Sequence, residues 1–327
     1  MMHMKSQDNC TKVAHKRRLA ILLATYNGEE YVKTQLDSLL AQQEKDWDLI
    51  ISDDCSKDKT PSILCEYAER FPDRVFLLLN EKPTGSSKDN FFRLMKKAEG
   101  YDYMMFCDQD DVWKPDKVGC TMRAMMELEN GETHIPCLVH TDLTVVDANL
   151  SMLHESFVRS SMLDPSRCAL NQLVIQNVVT GCTMMINAAL RENALQPADT
   201  NNIRMHDAWC GLWASAVGRI GFVPERTIYY RQHGTNVVGA KDVGSLRYLV
   251  SYLCRARQNR QALADAECQA GEFLIAARDV LNEEQKQLLY DYSTLRQKGK
   301  IERVRVIFKH GIWKTGWRRC IGEIVQI

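Results

Sequence analysis

The sequence predicts an α/β fold, a mostly parallel sheet flanked by helices and followed by a helical C-terminal extension. Three observations lead there. Short apolar runs alternate with amphipathic stretches from Leu19 to Cys107, the signature of βα units whose strands are covered on both faces. Each run ends in a polar cluster. After Asn236 the texture changes to long helical periodicity, with almost no turn signals between 242 and 295.

Residues 1–18 are polar and aperiodic and read as a loose tail. The apolar run Leu19 to Ala24 is the first strand, and Glu29 to Gln42, with apolar residues at helical spacing, is the first helix. Trp47 to Ser52 continues as a strand and Thr60 to Arg70 as a helix. Val75 to Leu79, Asn90 to Ala98 and Tyr101 to Cys107 repeat the pattern as strand, helix and strand. The main domain therefore covers 19–240 and the helical region 241–327.

Ligands of parallel α/β sheets bind outside the carboxyl ends of the strands. Here those ends carry "TYNG", "SDDCSKDKT", "NEKPTGSSKDN" and "DQDD" in turn. Four polar loops are thus expected at one rim. In "DQDD" Asp108 and Asp110 fall on the same side of an extended segment. Two such carboxylates make a hard oxygen site for Mn²⁺ or Mg²⁺, ions that bridge readily to a diphosphate. A solvated acidic turn is the plain alternative, and like charges this close raise each other's pKa unless a cation compensates.

Composition narrows the partners. A chain of 327 residues exceeds the usual single domain, which agrees with a main domain plus an appendage. Lysine and arginine total 42 and aspartate and glutamate also 42, so no charge excess points to nucleic acid. The 12 cysteines lie singly between Cys10 and Cys320 without a CxxC pair, as in a reducing compartment. Basic residues precede Leu19 as in a signal sequence, but only six apolar residues follow before Thr25. That is short of a signal core and of the roughly 18 apolar residues of a span. The expectation is a cytoplasmic protein without a transmembrane helix.

Six motifs, "LAILLATYNGEEYVKTQLDSLLAQ", "DLIISDDCSKDKT", "FCDQDDVWKPDKV", "TGCTMMIN", "HDAWCGLWASAVGRIGFVPE" and "YYRQHGTNVVG", occur in this order between residues 19 and 240. Together they resemble the family 2 glycosyltransferases of the GT-A (Rossmann-like) fold, the bacterial rhamnosyltransferase-like branch in particular. The resemblance implies that Thr25, Tyr26 and Asn27 hold the nucleotide base and ribose. It assigns Asp53 and Asp54 to the pyrimidine edge, where a carboxylate can accept a ring N–H. It makes Asp110 a direct metal ligand, gives Asp108 a ribose or water-mediated metal contact, and leaves Asp111 to support the loop. Trp113 and Pro115 shape that loop.

In "MHDAW" the resemblance identifies Asp207 as the general base, with His206 where the family usually has glutamate. A helix N-terminal acid is the plain reading of the same residue. His233 completes the metal shell, Gly181 lines the acceptor side, and Lys88 and Asn90 reach the diphosphate, as do Arg231 and Gln232. The implied reaction is an inverting transfer from a nucleotide-sugar donor, dTDP-rhamnose or a UDP-sugar, to a lipid-linked glycan acceptor of the cell surface. The processive enzymes' QxxRW motif is absent, which favours one sugar at a time.

Two other readings remain at this stage. A haloacid dehalogenase-type phosphatase would use Asp108 of "DQDDV" as nucleophile, although that motif normally follows the first strand rather than the fourth. A non-catalytic nucleotide-sugar-binding scaffold would keep the motifs without turnover. A dinucleotide dehydrogenase is disfavoured because no GxGxxG follows the first strand. From Arg296 onward basic residues recur among apolar ones. Trp313 and Trp317, four apart on one helix face, would suit peripheral contact with an anionic membrane at its inner face, whereas a helix packed on the main domain is the bland alternative.

Overall fold

The structure is a computed structural model that describes residues 18–232, 256–316 and 319. His233, Trp317 and the tail before Arg18 lie outside the described residues. The chain runs β1 (Leu19–Thr25), α1 (Val32–Leu40), β2 (Asp48–Asp53), α2 (Thr60–Arg70), β3 (Val75–Leu79), α3 (Ser87–Lys97) and β4 (Tyr103–Cys107), the predicted alternation. Two helix starts differ from expectation for local reasons. α1 begins late because the N–H groups of Tyr31 and Val32 both turn back to the Gly28 carbonyl, at 3.0 and 2.9 Å. α3 begins early because the Ser86 side chain accepts the Asp89 N–H and caps it.

The second half holds β5 (Val112–Trp113), α4 (Lys117–Glu129), β6 (Cys137–Val146), β7 (Met152–His154), α5 (Phe157–Ser160) and α6 (Leu170–Leu173). It continues with β8 (Met185–Asn187), α7 (Ala188–Ala194), α8 (His206–Val217) and β9 (Arg219–Arg231). Three further helices follow among the described residues, α9 (Ala256–Ala276), α10 (Glu283–Ser293) and α11 (Lys300–His310).

The strands form one sheet in the order β3-β2-β1-β4-β8-β6-β9-β5, with β7 paired to β6. β3, β2, β1 and β4 are parallel, as are the long strands β6 and β9. Short β8 is antiparallel to both β4 and β6, and β5 is antiparallel to β9. The antiparallel pairings fall in the half where the sequence lacks βα alternation. Because the first four strands run the same way, Thr25, Asp53, Leu79 and Cys107 all end at one edge.

Each face of the sheet has its own core. Ala20, Leu22 and Ala24 of β1 join Met104 and Phe106 of β4 on one side, with α3 and α8. Leu19, Ile21 and Leu23 join Tyr103, Met105 and Cys107 on the other, with α1, α2 and α4. The alternation is the two-residue period of a strand buried on both faces. The C-terminal helices add Phe273, Leu289, Tyr292 and Ile307 to the first of these cores. The described part of the helical region thus packs on the same side as α8.

No helix among the described residues is long and apolar enough to cross a membrane. The expected helix face with Trp313 and Trp317 falls partly outside the described residues, and Trp313 itself does not lie on a helix. Gly311, at φ 62°, ends α11 in the left-handed conformation, and Trp313 lies beyond it, its ring 4.7 Å from that of Phe308. Some of the basic residues meet acids elsewhere in the fold. Arg296 Nε donates to Glu267 of α9 at 2.7 Å, and Lys309 Nζ to Asp291 of α10 at 2.9 Å.

Candidate functional site

The rim is built from hydrogen bonds between loops. Thr25 Oγ1 donates to Asp53 Oδ1 at 2.8 Å, and Asp53 also accepts the Ser56 N–H and hydroxyl. Asp54 accepts from Asn80 Nδ2 and from the backbone N–H groups of Thr84 and Gly85, so it fixes the loop after β3. Tyr26 is 55% exposed beside these acids. Asn27 adopts φ 47°, a left-handed conformation that Asn tolerates, and its side chain accepts the Lys57 N–H. Gln109, between the two acids of the DxD, spans to the first loop: its Oε1 accepts the Tyr26 N–H at 2.8 Å and its Nε2 donates to the Tyr26 carbonyl at 3.0 Å. The first and fourth loops are therefore latched together.

Behind β4 the acidic turn is held by β9. The Arg231 N–H donates to Asp111 Oδ1 at 3.0 Å, and its guanidinium donates to the carbonyls of Asp110 and Ala148 and lies over the Tyr31 ring. Burial first, then the charges of Asp110 and Asp207, pushes the Asp108 carboxyl up to about 7. Asp111 is fully buried, its pKa raised well above the ordinary value for the same kind of reason, and its Oδ2 has no hydrogen-bond partner. Asp108, Asp111 and Cys182 each present an atom within 4.8 Å of the others. Beneath them Lys117 is completely buried over the Trp113 ring, and burial pushes its ammonium down to about 8.

The donor set suits a hard divalent cation. Carboxylates crowded until one of them holds its proton near neutrality form a field that a cation relieves. Carboxylate oxygen is the donor that Mg²⁺ and Mn²⁺ prefer. The resemblance gives the ion to Asp108 and Asp110; the structure groups Asp108 with Asp111 and Cys182, and Asp111 uses one carboxylate oxygen on the Arg231 N–H.

Asp207 stands in the first turn of α8. Its Oδ2 accepts the Gly181 N–H at 3.0 Å and its Oδ1 the Ala208 N–H at 2.6 Å. Burial raises the carboxyl to about 6 against the lowering effect of those N–H groups. The preceding His206 is buried between Phe91 and Phe106, ring centroids 4.1 and 5.0 Å away, and burial pushes its imidazole down to about 3. It is a neutral ring beside the acid.

Gly181 is required by this contact. A Cβ there would lie 2.8 Å from His206 Nε2 and 3.6 Å from Asp207 Oδ2. Gly181→Ala is expected to lose ~1–3 kcal/mol of stability through overpacking and to slow turnover, because the N–H that orients Asp207 shifts with it. Denaturant titration and steady-state rates check both; a variant equal to the parent in each would remove Gly181 from the site.

The structure brings together Thr25, Tyr26, Asn27, Asp53 and Asp54 on one side of the rim, and Asp108, Gly181 and Asp207 on the other. Lys88 is turned elsewhere: its ammonium donates to the carbonyls of Thr200 and Ile203. Asn90 is buried and donates to the Ser52 carbonyl, and the guanidinium of Arg231 donates to the carbonyls of Asp110 and Ala148. These three brace loops. Gln109, Cys182 and Lys117 were not found from the sequence. Gln109 had a signal in its place between the DxD acids, but Lys117 reads as an ordinary charge opening a helix.

A family model described as glycosyl transferase family 2 matches residues 20–192. A dTDP-rhamnosyl transferase, RfbG of Shigella flexneri, is 29% identical over 232 residues, 67% of this chain and 74% of its own. The Escherichia coli WfgD, a UDP-Glc:alpha-D-GlcNAc-diphosphoundecaprenol beta-1,3-glucosyltransferase, is 24% identical over 60% of this chain and 68% of its own. Among solved structures, S. aureus TarS residues 1–349 in complex with UDP superposes with a TM-score of 0.55 at 15% identity, covering 90% of this chain and 92% of that one. At that identity the likeness shows the fold, a GT-A arrangement.

Proposed function

The chain belongs to glycosyl transferase family 2, and from that premise we propose that it is an inverting enzyme. It moves one sugar from a nucleoside-diphosphate donor to a hydroxyl of a lipid-linked surface glycan. Rhamnose from dTDP-rhamnose is the donor favoured by the likeness to RfbG. The alternatives are UDP-sugars, as the name of WfgD prints for its own donor. Family membership displaces the phosphatase reading of Asp108. The observation that carries the proposal is the oriented carboxylate of Asp207, held by two backbone N–H groups close enough to Asp108 for its charge to raise that neighbour.

The roles proposed are those the family resemblance implies, and the charge at the rim supports them. The Thr25–Asn27 loop, with Tyr26 exposed, would meet the base and ribose. Asp53 and Asp54, which the resemblance assigns to the pyrimidine edge, are buried and hold the neighbouring loops through Thr25, Ser56, Asn80, Thr84 and Gly85. Asp108 and Asp110 would hold Mn²⁺ or Mg²⁺, whose charge offsets that building on the departing diphosphate. Asp207 takes the proton of the acceptor hydroxyl as its oxygen bonds to the anomeric carbon and the bond to the diphosphate breaks. One displacement inverts that carbon. A carboxyl with a pKa near 6 is ionised at neutral pH yet basic enough to serve. His233 lies outside the described residues, and its place in the metal shell is a proposal from the family resemblance alone. A panel of nucleotide sugars, each tested for metal-dependent release of nucleoside diphosphate with and without a polyprenyl-linked acceptor, tests the reading. Binding without turnover on the whole panel would return the scaffold.

Such an acceptor places the enzyme at the inner face of a membrane, as a peripheral protein. The surface of α11 supports this: Ile301 and Phe308, seven residues apart on one face, are 73% and 64% exposed, beside Lys300, Arg305 and Lys309. Apolar side chains among cations suit an anionic headgroup layer. Removing α11 would uncover the core contacts of Val306 and Ile307, so point changes are the cleaner probe. Ile301→Asp with Phe308→Asp is expected to release the protein from phosphatidylglycerol vesicles in co-sedimentation while donor binding persists. Undiminished sedimentation would leave this face as plain surface.

A further inference from the structure

The segment that delivers the chain to Asp207, residues 199–205, has almost no structure of its own. It holds a single 3₁₀ turn, Thr200–Asn202, in which the N–H groups of Asn201, Asn202 and Ile203 are met within the segment. Those of Asp199 and Arg204 take partners from outside. On one side Lys88 serves the carbonyls of Thr200 and Ile203. On the other, the partners come from α9, which the sequence places in the appended helical region. Gln269 Oε1 accepts the Arg204 N–H at 2.9 Å. Glu272 accepts the Asp199 N–H through Oε1 at 2.8 Å and Asn202 Nδ2 through Oε2 at 3.0 Å.

Gln269 and Glu272 are three apart and so share a face of α9. Gln269 is 2% exposed, and a side chain kept polar at that depth serves a specific partner. On the next position, Phe273 packs edge-on against Trp209 and Trp213 of α8, ring centroids 5.5 and 5.1 Å away. From α10, Gln285 Nε2 donates to the Ala216 carbonyl near the other end of α8. The helix that carries Asp207 is thus held along its length, and its approach segment is held by α9.

We propose that Gln269 and Glu272 are positioning residues for the transfer step, which makes the C-terminal helices part of the catalytic apparatus. The inference rests on Asp207 as the base. Neither residue reaches the rim where the nucleotide side is built; both act on the backbone leading to residue 207. Releasing Arg204 lets Asp207 drift from the Gly181 N–H, and a displacement of about 1 Å in a reacting group can cost on the order of 10²-fold in rate.

The test uses full-length Gln269→Ala, Glu272→Ala and Glu272→Gln, the last of which keeps an acceptor oxygen for Asp199. Asp207→Asn is measured in parallel. Turnover number, donor KM, donor affinity by calorimetry and melting temperature are read for each. The expected result is a turnover number lowered roughly 10- to 100-fold in the two alanine variants, with donor affinity unchanged and Glu272→Gln largely restored. A folded Gln269→Ala with normal turnover overturns the proposal. So does a loss of donor affinity that matches the loss of rate, or a Glu272→Gln as slow as Glu272→Ala. If Gln269→Ala does not fold, the two Glu272 variants decide. Near-normal turnover of Asp207→Asn overturns both the base and its positioning, whereas an inactive Asp207→Asn beside a normal Gln269→Ala overturns only the positioning.

Discussion

Asp207→Asn is expected to bind the donor as the parent does and to transfer the sugar ~10²–10⁴-fold more slowly, the usual contribution of a general base. The amide keeps the size of the carboxyl and can still accept the Ala208 or Gly181 N–H, so α8 keeps its place. What is lost is the lone pair that takes a proton. The pH profile of the parent carries the same information. Burial raises the carboxyl to about 6, so the base is increasingly protonated as pH falls through 6 and the rate declines on that acid side. The asparagine variant should lack this limb. Turnover near normal, or an unchanged acid limb in the variant, would move the base to another residue.

The second large effect is expected from Asp110→Ala. The side chain is removed, but the Asp110 carbonyl remains to accept Arg231 Nε at 2.8 Å and the Asp111 carboxylate remains on the Arg231 N–H. The turn between β4 and β5 should therefore persist. One charge fewer beside Asp108 relieves a repulsion. Divalent-dependent donor binding should fall by on the order of 10²–10³-fold, the several kcal/mol that a cation contributes to a diphosphate site. Calorimetry with donor in Mn²⁺ and in chelator reads the difference. Equal affinities in parent and variant, with the same metal dependence, would leave the acids as a buried structural turn.

How much of this was legible beforehand depended on the range of the interactions. The strands β1 to β4 and the helices between them followed from local periodicity, because an apolar run flanked by turn residues has few other stable conformations. "DQDD" at the end of β4 was visible too, although a lone pair of such acids is a weak signal until its strand end and the other polar loops are counted with it. The antiparallel β8 was not, being only three residues long and stable only between β4 and β6. Trp313 misled for a related reason. Helical spacing suggested a shared face with Trp317, but Gly311 takes the left-handed conformation and ends the helix first.

By itself, then, the sequence determined the α/β class and the rim with its acids, while Asp207 was singled out only through the resemblance of "MHDAW" to a family motif. The class and the rim depend on side-chain chemistry and short-range order, both written in consecutive residues. Only the tertiary structure decided which charges meet: that Lys88 braces the 200–203 segment, that Gln109 latches the first loop to the fourth, and that Gln269 and Glu272 of a distant helix hold the approach to the base. Such contacts join residues 65 to 115 positions apart. A side chain's partner at that separation is set by how the layers pack, and no local pattern records it.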